Sequence, residues 1–99
     1  MKTLFVVTLI KGQEWDESKP MRSQHQWTEH AALMDQLAAD GIILLGGPLS
    51  DESRVMLVMR AADENEIRSI FVEDPWIQSG VREIASIQLW TILLESGRN

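Results

Sequence analysis

The chain has no cysteine and no tyrosine, and its three prolines, at positions 20, 48 and 75, each read as punctuation between elements. Without a thiol, disulfides, thiolate metal sites and cysteine nucleophiles are excluded, and folding does not depend on an oxidising compartment. Positive charge is scarce too: nine Lys and Arg stand against fifteen Asp and Glu, a net charge of -6, with no basic cluster. Nucleic acid and anionic membrane surfaces need a basic face, so neither is expected as a partner. The apolar stretch Leu4 to Ile10 is interrupted by Thr8 and falls well short of the roughly 20 residues that span a bilayer. The GQEWDESK that follows it contains no small-residue cleavage site, and the cytoplasm is the expected location.

What is present fits one domain over residues 1–99, long enough for a single hydrophobic core. Thr3 to Ile10 is rich in β-branched residues and bounded by Lys11 and Gly12, which reads as a first strand with two apolar faces. Pro20 is placed to open a helix running to about Asp40, and Gly41 is its left-handed stop. Ile42 to Leu45 and Val55 to Arg60 then form an antiparallel hairpin across the polar turn SDESR. Asp63 and Glu66 have capping-box spacing, which starts a second helix near Glu64. It ends by Asp74, because a residue before proline is pushed out of the helical region, and Pro75 to Ser79 make one short turn closed by Gly80. Arg82 to Glu95 supplies the last strand, clearest from Ile87 to Leu94; its apolar phase slips, which requires a bulge near Leu89 and Trp90 or two buried faces.

The order βαββαβ is that of an α+β, ferredoxin-like domain, a four-stranded antiparallel sheet with two helices on one face. Such a sheet has a free face of roughly 350 Å², already comparable with the largest apolar patches on monomers. Because the first and last strands are apolar on both faces, a second copy over this face is the simplest cover, and a homodimer, or a higher assembly built on it, is expected.

Chemistry concentrates in two places. Along the first helix, at about 100° per residue, Trp27 and Met34 flank His30 on one side and Leu37 and Leu33 on the other, so an ionisable ring sits in the middle of an apolar stripe. His30 is either a core histidine bonded to a backbone carbonyl or the acid or base of a cavity that the stripe faces. The second place is Asp74-Pro75-Trp76. Asp74 either caps the turn that follows or pairs with His30, where a carboxylate on one ring nitrogen would fix the tautomer and favour the charged ring while burial favours the neutral one.

The four tryptophans divide among these places. Trp27 and Trp76 neighbour the two candidate residues and either wall a common pocket or pack as core; Trp90 reads as core or interface, and Trp15 as a lid or an exposed side chain. Gly46-Gly47-Pro48 has no lysine and no helix after it, so it is no phosphate cradle and instead lets backbone approach a neighbour or ligand closely. His25 and His30 lie about 140° apart on a helix, and Glu29 points elsewhere, so no metal is expected.

Together, EHAALMDQLAADG with His30 eleven residues before Gly41, LLGGPL directly after it, and DPWIQSGV resemble the YCII-related family of the dimeric α/β barrel superfamily, over almost the whole chain. The resemblance implies a ferredoxin-like protomer that dimerises through its sheet, with a cleft in which His30 and Asp74 are the catalytic pair. Trp76 departs from the Phe or Tyr usual after Asp-Pro, which bears on pocket size.

Two functions from different classes fit these residues. One is cofactor-free acid–base chemistry on a small molecule, a lyase or isomerase of an aromatic or quinone-like compound, with His30 and Asp74 catalytic and Trp27 and Trp76 binding the substrate. The other is a dimeric small-molecule binding or accessory protein without turnover. A cofactor-free monooxygenase, an activity of some relatives in the superfamily, is a weaker third.

Overall fold

The computed structural model describes residues 3–97. Four strands, β1 (Thr3–Lys11), β2 (Ile43–Pro48), β3 (Arg54–Ala61) and β4 (Arg82–Leu89), form one sheet in the order β2-β3-β1-β4 with every neighbouring pair antiparallel. Helices α1 (Trp27–Ala39), α2 (Glu64–Val72) and the short α3 (Pro75–Ser79) complete a ferredoxin-like α+β domain. The short α3 is the single turn expected over Pro75 to Ser79, closed by Gly80.

The sheet order explains why β1 is apolar throughout. It is central, with Val7 opposite Leu57 on one side and Ile87 on the other. Phe5, Val7 and Leu9 alternate onto the helical face and are buried, together with Leu57, Met59, Leu37, Ile67 and Phe71. Leu4, Val6, Thr8 and Ile10 point to the opposite face, which no helix covers and where they remain half-buried.

Local chemistry sets the helix ends. Asp63 accepts the Glu66 N–H at 2.9 Å and starts α2. At the end of α1, Gly41 takes φ 75°, the Gly41 N–H donates to Ala38 O, and the Ile42 N–H donates to Leu37 O. That is a Schellman closure, and it turns the chain directly into β2.

The first helix begins later than Pro20. Pro20 leads into a 3₁₀ turn, Met21–Ser23, Gln26 takes a left-handed φ of 60°, and only at Trp27 does α1 start. The cause is the buried Gln24 side chain, which accepts the Asp16 N–H and donates to the carbonyls of Asp16 and Lys19. These bonds hold the chain in a loop that a continuous helix would break.

The last strand also differs from expectation. It ends at Leu89, and residues 90–95 are not strand, because β1 has little chain left to pair with: Phe5 faces Leu89, and the Trp90 N–H donates to Leu4 O as the final rung. The bulge lies at Ala85, since Thr8 faces Ser86 while Leu9 faces Ile84. Trp90, expected in a core or an interface, is 46% exposed in the protomer and belongs to neither buried cluster.

Among the described residues, no helix is long and apolar enough to cross a membrane.

Candidate functional site

A second buried cluster, Met21, Trp76 and Val81 with Trp15 and Trp27 against it, lies beside the main core, and the chemistry-bearing residues gather around it. Asp74 is placed by the α2–α3 junction. Its N–H donates to Phe71 O, and its Oδ1 accepts the Trp76 N–H at 3.0 Å as the cap of α3. Pro75 at the first helical position and Gly80 at φ 85° keep α3 to a single turn.

His30 comes from the second turn of α1 and meets that junction. Its Nδ1 lies 2.9 Å from Asp74 Oδ1, with His30 7% exposed and Asp74 fully buried. With the carboxylate as acceptor, Nδ1 carries the proton, and Nε2 is the ring nitrogen left for other chemistry. The Asp74 cap and the Asp74–His30 pair, which the sequence left as alternatives, are made by the same oxygen.

Trp76 backs this pair. Its ring stacks on the imidazole at 3.9 Å and 10°, and its Nε1–H donates to His25 O at 2.6 Å. It is 1% exposed and its one polar atom is used, so it presents only the edge of an apolar wall. Trp27 is half-buried, tilted against both Trp76 and His30, with Arg22 over its outer side. Trp15 is no free lid, since it sits edge-on to Trp76 at 6.4 Å.

These residues border an open cavity of about 430 Å³ between α1, the 3₁₀ turn and the β2 edge. His30, Trp27 and Trp76 line it, while Asp74 stands behind the imidazole and is not in the wall. Gly46, Gly47 and Pro48 form the opposite rim. A Cβ on Gly46 would come within 2.5 Å of Leu57 Cδ2, whereas one on Gly47 would meet nothing within 4 Å, so Gly46 serves close packing under the rim.

Arg82 was missed by sequence reasoning. It lies in the cavity wall, fully buried, with Nη1 donating to Ser53 O at 3.1 Å and Nη2 to Glu52 O at 2.7 Å. The Trp15 ring covers its guanidinium at 4.3 Å. Burial lowers its pKa from the ordinary arginine value, and the charge of Glu52 partly offsets this. No local pattern would have found it, because Ile87 and Leu89 set a phase that turns Glu83 inward, and only the bulge at Ala85 brings Arg82 onto the face of Ile84.

Fold and site together define a small ferredoxin-like domain that holds a buried histidine–aspartate pair at the wall of an organic-sized cavity. The model of the YCII-related domain matches residues 1–91, and the chain belongs to that family. No curated protein and no solved structure matches it.

Proposed function

We propose that this protein carries out cofactor-free acid–base chemistry on a small organic molecule, as a lyase or isomerase of an aromatic or quinone-like compound. The observation that carries the reading is the 2.9 Å contact between His30 Nδ1 and Asp74 Oδ1 at the wall of the cavity. A carboxylate behind the ring orients it and stabilises the imidazolium formed when Nε2 takes a proton. In an isomerase that proton returns to another atom of the same molecule; in a lyase its removal accompanies departure of a leaving group. Trp27 lies where a planar substrate would rest.

A second reading, a small-molecule binding or accessory protein without turnover, draws on the double use of Asp74 Oδ1, since capping α3 is by itself a structural reason for that carboxylate. The experiment that separates the two begins with native mass spectrometry of the purified protein to identify co-purifying molecules. These and related cyclic enones and hydroquinones are then incubated with the protein in D₂O. Deuterium entering a carbon position, lost in His30→Gln while binding persists, supports the enzyme. Binding without exchange supports the second reading.

The uncovered sheet face adds a proposal about assembly: that the working form is a homodimer joined through this face. Its apolar residues are Val6 and Ile10 on β1, Val58 and Met56 on β3, and Leu45 on β2 at 71% exposure, whereas the last strand, expected to be apolar on both faces, turns Glu83, Ser86 and Gln88 outward, and Arg54 and Arg60 of β3 share that face.

A further inference from the structure

One charge in the cavity wall is not used by the His30–Asp74 pair. Arg82 is fully buried, yet among the described residues it forms no ion pair. Its partners are two neutral carbonyls and an aromatic face, and its buried Nε–H has no acceptor among the described residues. The carboxylate whose charge it feels, Glu52, accepts instead from the Met21 N–H at 3.2 Å. A buried cation is strongly unfavourable unless an opposite charge repays its desolvation, and the described residues supply none at contact distance.

Two irregularities of the backbone put this cation where it is. The bulge at Ala85 shifts the strand phase, so that Arg82 shares the inner face with Ile84 while Glu83 points outward and is exposed. A regular β4 in register with Ile87 would have turned Glu83 inward instead. In the β2–β3 loop, Glu52 takes a left-handed φ of 64°, and Ser53 donates twice to Asp51 Oδ1. This turn presents the successive Glu52 and Ser53 carbonyls to the guanidinium. The charges nearest the cavity do not cancel Arg82. Asp74 is outside the wall, with His30 and Trp76 both bonded to its Oδ1 and its buried Oδ2 without a partner among the described residues, and Arg22 and Asp35, of opposite sign, line it as exposed side chains.

We propose that Arg82 is the anion-recognition group of this cavity, and that the ligand is a planar organic carboxylate, its negative group toward Arg82 and its body against Trp27 within reach of His30. The missing counter-charge is then the ligand's own, and a neutral molecule of the same shape forfeits it. The inference deepens the acid–base reading and rests on it only for the reacting atom. The charge preference holds whether or not the ligand turns over.

The test is a matched pair of probes, 2-naphthoate and 2-naphthamide, titrated into the full chain at pH 7 by calorimetry. The carboxylate is expected to bind at least about tenfold more tightly, through the Coulombic attraction of a cation shielded from water. In Arg82→Met the two affinities become equal, and in Arg82→Lys, which keeps the charge, most of the preference remains. Should Arg82→Met fail to fold, the wild-type protein still decides: naphthoate shifts the Arg82 Nε–H resonance in ¹⁵N-edited spectra and naphthamide leaves it in place. Equal affinities in the wild type, binding of neither probe, an unmoved Arg82 resonance, or a preference that survives in Arg82→Met overturns the proposal. The preference should persist in His30→Gln, so a failure of the histidine's role and a failure of Arg82's role are read from different variants.

Discussion

Asp74 Oδ1 accepts two hydrogen bonds at once, from His30 Nδ1 at 2.9 Å and from the Trp76 N–H at 3.0 Å. One oxygen therefore joins α1 to α3, and the orientation of the imidazole is tied to the start of the turn that carries the Trp76 ring stacked on it.

Asp74→Ala should destabilise the protein by about 2–4 kcal/mol, since it removes a helix cap and leaves the buried His30 Nδ1–H without an acceptor. Asp74→Asn keeps an oxygen in place and should cost less than half of that. Urea unfolding of the three proteins gives the comparison, and ¹⁵N shifts of His30 should show the Nδ1–H tautomer of the wild type giving way to a mixture in Asp74→Ala. Equal stabilities of Asp74→Ala and wild type would remove the pair as a structural link.

Sedimentation should find a homodimer of the 11.2 kDa chain at micromolar concentration. Val6→Lys with Val58→Glu, both facing outward on β1 and β3, should shift it toward monomer. A stable wild-type monomer would leave the open sheet face without this explanation.

Two glycines should separate by substitution. A Cβ on Gly12 would stand 2.0 Å from Gly80 O, a backbone atom fixed by the hydrogen bonds from Gly12 N to Val81 O and from Glu14 N to Gly80 O, so Gly12→Ala must displace the end of α3. A loss above about 3 kcal/mol is expected, at the upper end of single-residue effects. Gly47→Ala meets open space and should stay within about 0.5 kcal/mol of wild type.

The Asp51 turn should leave a signature in acid. The Ser53 hydroxyl and N–H hold the Asp51 carboxyl below the ordinary aspartate value. A carboxyl depressed in the folded state adds stability above its unfolded pKa and loses it as pH falls through the folded one. Ser53→Ala removes the larger cause, so Asp51 should titrate at higher pH in carbon-detected NMR. The stability gap between the two proteins should be present at neutral pH and close toward about pH 2.

Chelators should leave folding and ligand binding unchanged. Loss of either on treatment with EDTA, restored by one divalent ion, would contradict the expectation drawn from the absence of cysteine and the separation of the two histidines.

Much of this was legible because it depends on neighbours in sequence. Gly41 stops α1 where a left-handed residue was needed, Asp63 caps α2, Pro75 at the first position of α3 places Asp74 at its cap, and the period of Trp27, His30 and Leu37 marks the face that His30 shares with the core. The start of α1 was not legible, because it depends on the side chain of Gln24 folding back on Asp16 and Lys19. Nor was the end of β4, because a strand stops where its partner does, and β1 lies some 80 residues away in the chain.

The sequence by itself determined the element order, the apolar faces of β1 and α1 and the residue types available for chemistry, since propensity, capping and periodicity act over a few residues and need no distant partner. Only the tertiary structure decided which of those residues meet. It brought His30 and Asp74 together across 44 positions on a single oxygen, and it turned Arg82 rather than Glu83 inward through a bulge whose position is set by pairing with β1. Register and long-range packing are properties of the assembled sheet, where one inserted residue reverses every side chain beyond it, and no local pattern carries that information.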